Sequence, residues 1–186
     1  MARKKKYNED EVIEKAMALF WRNGYESTSV RELEKEMGIN QFSIYASFGS
    51  KQGVFLESVK CYEKKIRSIT EKLSKSSNGL TGIKQFFYDF LSFSMDEKGQ
   101  NGCLLINTVN EIGLTGDPDI LDEILKFSNY IKSLFINNLN QIGQFSDEYI
   151  ERRANYYFIA LQGLTVASKV FPKAEIEDFI EITFEK

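Results

Sequence analysis

Apolar side chains recur along this chain at spacings of three, four and seven residues, and no segment alternates apolar with polar positions over a strand's length. Residues three or four apart share a helix face, so the pattern predicts helices throughout and an all-α fold. The first helix begins where Asn8 and Glu11 make a capping-box pattern. Val12, Ile13, Ala16, Met17, Leu19 and Phe20 form the apolar face behind it, and Asn23-Gly24 ends it. Ser29, with Glu32 three residues on, opens a second helix whose Val30, Leu33 and Met37 lie on one side. Gly38 follows directly, where a left-handed C-cap needs a residue without a Cβ. Asn40 then caps a third helix of barely two turns, Gln41 to Ser47, with Ile44 and Phe48 facing inward. Gln41, Phe42, Ser43, Tyr45 and Ser47 are left to share its outer surface.

Ser50 caps a long fourth helix running toward Leu73, with Val54, Phe55, Val59, Tyr62 and Ile66 on its apolar side. Beyond the polar break Ser74 to Gly79, five further helices are expected. Leu80 to Met95 is rich in phenylalanine, and Asp96 to Gly102 is a loop. Cys103 to Ile112 is short and apolar. Asp117 as N-cap with Pro118 at the first helical position starts a helix toward Leu139. Ser146 opens another that extends to Ser168, and Glu175 to Phe184 forms the last, after a stop at Phe171-Pro172. No internal repeat is visible. The pattern divides the chain into residues 1–50, a three-helix domain, and residues 51–186, a helical remainder reached through the long helix.

The short third helix carries the first hint of function. A second helix after a tight turn, presenting amide and hydroxyl groups, is the geometry that enters a DNA major groove. Arg31, Gln41, Ser43, Tyr45 and Lys51 are the leading candidates for contact, with Asn40 and Ser47 flanking them. Glutamine pairs with adenine, arginine with guanine and serine with either, while a lysine at a helix start suits a phosphate. Phe42 touches a thymine methyl or braces the helix.

Composition narrows the rest. Among 186 residues there is no histidine, which removes the commonest general base and the commonest transition-metal ligand together. Cys61 and Cys103 stand far apart, neither at metal-ligand spacing, and no glycine-rich phosphate loop occurs. An enzyme is unsupported, and no cofactor or metal is expected. No run of eighteen apolar residues exists and the N-terminus is charged, so we expect neither a membrane span nor a secretion signal, and a cytoplasmic, reducing location. Residues 1–60 hold ten Lys and Arg against nine Asp and Glu, and the remainder fourteen against eighteen. The N-terminal third is therefore the less acidic part, and its Arg3 to Lys6 run reads as a phosphate-contacting arm or a solvated terminus.

Taken in order and spacing, Ala16-Met-Ala-Leu-Phe20, Gly24-Tyr25, Thr28-Ser-Val-Arg-Glu-Leu33, Gly38-Ile39, Ile44-Tyr45, Phe48 and Ser50-Lys51 resemble the DNA-binding domain of TetR-family transcriptional regulators. The resemblance spans about Val12 to Phe55. The family often carries an aromatic residue or a histidine at the positions of Ala46 and Ser47, and this chain has neither. The resemblance implies a helical C-terminal ligand-binding and dimerisation domain, and a homodimer that binds a palindromic double-stranded operator. It implies release by a small apolar or aromatic effector. Eleven of the fifteen phenylalanines lie after residue 80, and aromatic side chains suit such a ligand. Candidate pocket residues are Tyr62, Phe86, Phe87, Phe90, Cys103, Asn107, Phe127 and Phe158, although phenylalanine at helical spacing also serves as plain core.

Gly102-Cys103-Leu104-Leu105 with Asn107 is similar to a sequence in one branch of the family that includes electrophile- and oxidant-sensing repressors. There Cys103 would be a thiol sensor, in a first helical turn whose dipole favours a thiolate. Its alternative is a small buried residue. Ala160, Gly163 and Ala167 permit close approach of a partner helix, and by the resemblance the last two helices form the two-fold interface. Three readings stay open: a ligand-released repressor, a repressor switched covalently through Cys103, and a helical adaptor without DNA.

Overall fold

A computed structural model describes residues 7–96 and 99–185; the basic run Arg3 to Lys6 lies outside the described residues. Within them the fold is all-α. The helices are α1 (Glu9–Asn23), α2 (Val30–Met37), α3 (Gln41–Phe48), α4 (Lys51–Ser74), α5 (Leu80–Ser94), α6 (Leu104–Ile112), α7 (Pro118–Asn140), α8 (Asp147–Ala167) and α9 (Lys173–Thr183). The helix expected to reach Met95 ends at Ser94, and Met95 instead pairs with Gln100 in a two-residue antiparallel ladder that runs into the segment expected as a loop. The last helix starts at Lys173, two residues earlier than the sequence pattern suggests, because Pro172 occupies the N-cap and fixes the backbone for it.

Local chemistry sets the early boundaries. The Asn8 side chain accepts from the Asp10 N–H at 3.0 Å, and Ser29 and Glu32 form a complete capping box around α2. Gly38 takes the left-handed conformation at φ 70°, which turns the chain tightly into α3. The chain forms two compact units rather than two consecutive halves. One holds residues 1–65 and 107–123, the other residues 66–106 and 124–186, and the chain passes between them inside α4, α6 and α7.

In the first unit α1, α2 and α3 pack around Ala16, Phe20, Leu33, Met37 and Ile44, all essentially inaccessible. Phe20, Tyr25 and Phe55 close this core as a ring triangle with centroids 4.8–5.9 Å apart. Phe48 is only half-buried, so Ile44 is the inward anchor of α3. In the second unit α5 packs on α8 and α9. Phe86 and Phe87 meet Phe135, Tyr157 packs against Phe87, and Tyr157 stacks on Phe184 at 4.9 Å.

Glu181 ties α9 to α5, accepting from Lys84 Nζ at 2.6 Å and from the Tyr88 hydroxyl. The Lys84 hydrogen bond, then that of Tyr88, hold the Glu181 carboxyl below its usual range. Desolvation first and the Glu181 hydrogen bond second push Tyr88 up to about 12. A phenol with a raised folded pKa stabilises below its ordinary value of 10.0 and loses that contribution as pH climbs toward 12. The depressed carboxylate acts in the opposite sense, its contribution fading as pH falls through the acidic range. We therefore expect Tyr88→Phe to flatten the alkaline limb of stability against pH above 10, measured by thermal unfolding, and to reduce the acid limb without removing it, since Lys84 still holds the Glu181 carboxyl low.

Candidate nucleic-acid interface and regulatory cavity

Two turns of helix cannot hold themselves together in water, so α3 depends on what grips it. Its first N–H groups are taken by protein: Ser43 N–H donates to Asn40 Oδ1 at 2.8 Å, and Gln41 N–H to Glu34 Oε1 at 3.3 Å. From the side, the Tyr7 hydroxyl lies 2.6 Å from Ser47 Oγ and donates to the Ser43 carbonyl at 3.4 Å. Ser47 and Ser43 are consequently half-buried rather than fully outward. The outer face narrows to Gln41, Phe42, Tyr45 and Ala46, all exposed, with Asn40 at its head. Arg31, in the first turn of α2, is exposed as well.

Lys51, named above for a phosphate contact, has protein partners. Its Nζ sits 4.5 Å from the centre of the Tyr25 ring and donates to the Glu26 carbonyl at 3.3 Å. The N–H of the same Glu26 donates to Glu111 Oε2 at 2.8 Å, across 85 positions of sequence. The turn between α1 and α2 is thus pinned on both sides of one residue. Gly24, at φ 92°, lies against the Glu111 carboxylate so closely that a Cβ there would overlap it. A second tether joins Gln52 Nε2 to Asp117 Oδ1 at 2.7 Å and to Asp119 Oδ2 at 3.0 Å. Burial, then the charges of Asp117 and Glu26, raise the Tyr25 pKa. Sequence reasoning missed Glu111, Gln52 and Tyr7, because none has a local signature.

The residues named for a pocket separate into three groups. Phe90, Cys103, Phe127 and Phe158 line one cavity of about 20 Å3, completed by Leu161 and Gln162 among others. Phe86 and Phe87 belong to the aromatic core described above and do not line it. Tyr62 and Asn107 fall in the first unit, where Tyr62 is buried with its ring 5.3 Å from Trp21. Cys103 is buried just ahead of α6, and no disulfide joins it to Cys61. Cys61 borders an open cleft beside α1, and burial raises its pKa. No helix among the described residues is long and apolar enough to cross a membrane.

Residues 12–58 match the sequence model of a family described as bacterial regulatory proteins, tetR family. The chain is 26% identical to the uncharacterized HTH-type transcriptional regulator YezE of Bacillus subtilis, over 98% of this chain and 97% of that one. A shorter match, 30% identical over 48% of each chain, is to IcaR of Staphylococcus aureus, the HTH-type negative transcriptional regulator of the biofilm operon icaADBC. The fold is similar to that of a cysteine-substituted form of the TetR-family regulator CifR complexed with a 26-base-pair operator duplex, at a TM-score of 0.86, 25% identity and 98% of each chain.

The chain belongs to the TetR family. It is a DNA-binding transcriptional regulator and not an enzyme, and the reading as an adaptor without DNA is set aside. In TetR terms α2 and α3 are the helix-turn-helix pair, and the Glu111 grip supports its approach from α1. Removing that carboxylate leaves the Glu26 N–H to water. Glu111→Ala is expected to cost about 1 kcal/mol of stability, the usual net worth of one such hydrogen bond. Urea unfolding measures it, and an unchanged midpoint would show the grip to be idle.

Proposed function

We propose that this TetR regulator is a homodimeric repressor that binds a near-palindromic operator through α3 and leaves it when the second unit changes state. The observation that carries the dimer is a stripe on α8. Tyr156, Ile159, Gly163 and Val166 recur at helical spacing, Val170 continues the line in the turn after the helix, and all are exposed. Phe179 and Ile182 of α9 are exposed too, Ile182 at 66%. Open space surrounds Gly163, so a partner helix can approach its backbone. Arg153 beside Tyr149 and Tyr156 adds the aromatic and arginine chemistry enriched in interface centres. Repression is supported by the description of IcaR as a negative regulator.

A dimer places two copies of α3 against successive major grooves, roughly 34 Å apart. Gln41 would read an adenine, Arg31 a guanine or a phosphate, and Tyr45 a phosphate. An operator can be isolated by selection from random duplexes. Ile159→Asp is expected to yield a monomer by sedimentation at micromolar concentration and to lose operator binding with it. Gln41→Ala should remain dimeric and relax preference at one position per half-site by about 1–3 kcal/mol. A monomeric unmodified protein, or equal affinity for random and selected DNA at moderate salt, would refute the proposal.

The release step has two readings, and the cavity bears on both. A small apolar or aromatic effector matches the phenyl walls of Phe90, Phe127 and Phe158. Yet about 20 Å3 is far below the roughly 300–1,000 Å3 of ordinary ligand sites, so such an effector must spread the wall as it enters. The second reading is covalent change at Cys103, which lines the same space and is buried, so a group bonded to its sulfur must open the wall as well. An α,β-unsaturated carbonyl would bond its β-carbon to the Cys103 sulfur while the thiol proton passes to the α-carbon. Either event biases the protein toward a state that holds DNA less well. In a Cys61→Ser background, N-ethylmaleimide is expected to release operator from the protein, and Cys103→Ser to abolish that release. Retention of operator after mass spectrometry shows Cys103 fully modified would leave the reversible effector as the inducer.

A further inference from the structure

We infer that Phe42 reads the C5-methyl group of a thymine in each operator half-site, an inference that rests on α3 entering the major groove. Phe42 is 82% exposed, more than any other large apolar side chain among the described residues. Among the described residues of the first unit the exposed large apolar side chains are Phe42 and Tyr45, and both sit on α3. The remaining ones lie on α7, α8, α9 and the turn between α8 and α9, and the interface proposed above would account for most of them. Phe42 does not brace its own helix, since Ile44, fully buried, supplies the inward anchor.

The chemistry of the groove then selects the partner. A phenyl ring has no hydrogen-bonding group, so it cannot distinguish base edges by their donors and acceptors. The major-groove edges of the four base pairs carry a single apolar group, the thymine methyl. Phe42 is the second residue of α3, and the N-terminal residues of a recognition helix are the ones that reach base edges. Gln41 beside it has its best bidentate match in adenine, so the two neighbours together favour an A·T-rich step. A lipid or protein partner would call for a broader apolar surface, whereas Gln41 and Ala46 flank the ring and Asn40 heads the helix.

Replacing thymidine by deoxyuridine removes the methyl and nothing else, which makes the test direct. With an operator selected by the full-length protein, each dT is replaced in turn and the affinity measured. The wild type is expected to lose about fourfold at one symmetry-related pair of positions, the worth of one buried methyl-sized group per site. Phe42→Ala should bind the methylated operator more weakly and show no further loss on dU at that pair, and Phe42→Leu should keep part of the effect. The inference is overturned if no dT position matters to the wild type, or if Phe42→Ala loses as much at the same position. A selection that enriches no sequence would instead overturn the operator reading itself, and this one with it. Thermal unfolding of Phe42→Ala, expected to match the wild type for so exposed a side chain, separates lost contact from lost fold.

Discussion

An eight-residue helix is below the length at which backbone hydrogen bonds alone keep a helix formed in water. That constraint governs the first unit, because α3 leaves one face exposed and has only Ile44 to bury completely. Its order therefore comes from outside. The αL turn at Gly38 fixes its direction, Asn40 and Glu34 satisfy its first N–H groups, and Tyr7 grips its flank. The α1–α2 turn behind it is held in turn by Glu111 and Lys51 on either side of the Glu26 peptide. Lys51 thus has protein partners of its own, the Glu26 carbonyl and the Tyr25 ring.

What was legible in the sequence was whatever is encoded within a few residues. The capping box at Ser29 and Glu32, the glycine at 38 and the asparagine at 40 each announce a helix boundary, and each stands where its chemistry places it. The grips on α3 and on the α1–α2 turn were not legible. Tyr7 and Ser47 are separated by 40 positions, Glu26 and Glu111 by 85, and an exposed glutamate on a helix has no feature that marks it as a tether. Ser47 looked like an outward hydroxyl because helical spacing tells which way a side chain points and not what lies in front of it.

The second unit shows the same limit in another form. Its phenylalanines are indistinguishable by spacing, yet Phe86 and Phe87 fill a packed aromatic core whereas Phe90, Phe127 and Phe158 face the small cavity with Cys103. Only the register of one helix against another separates the two roles, since a phenyl ring packs equally well in either place. The gap that remains beside Cys103 is therefore a property of the fit among α5, α6, α7 and α8 and of no single residue.

Gly24 and Glu111 carry a consequence for how this protein can diverge. The glycine is required twice over, by its positive φ and by the carboxylate that fills the space of its absent side chain. Exchange of Glu111 for a smaller residue relieves the second demand but not the first, so position 24 stays closed to other residues whichever change comes first. The reverse dependence is weaker: with glycine in place, position 111 is free to vary at the cost of one tether. Descendants of this chain should accordingly drift at 111 long before they drift at 24, and a lineage that has lost the glutamate will still bear the glycine as a mark of the turn it once held.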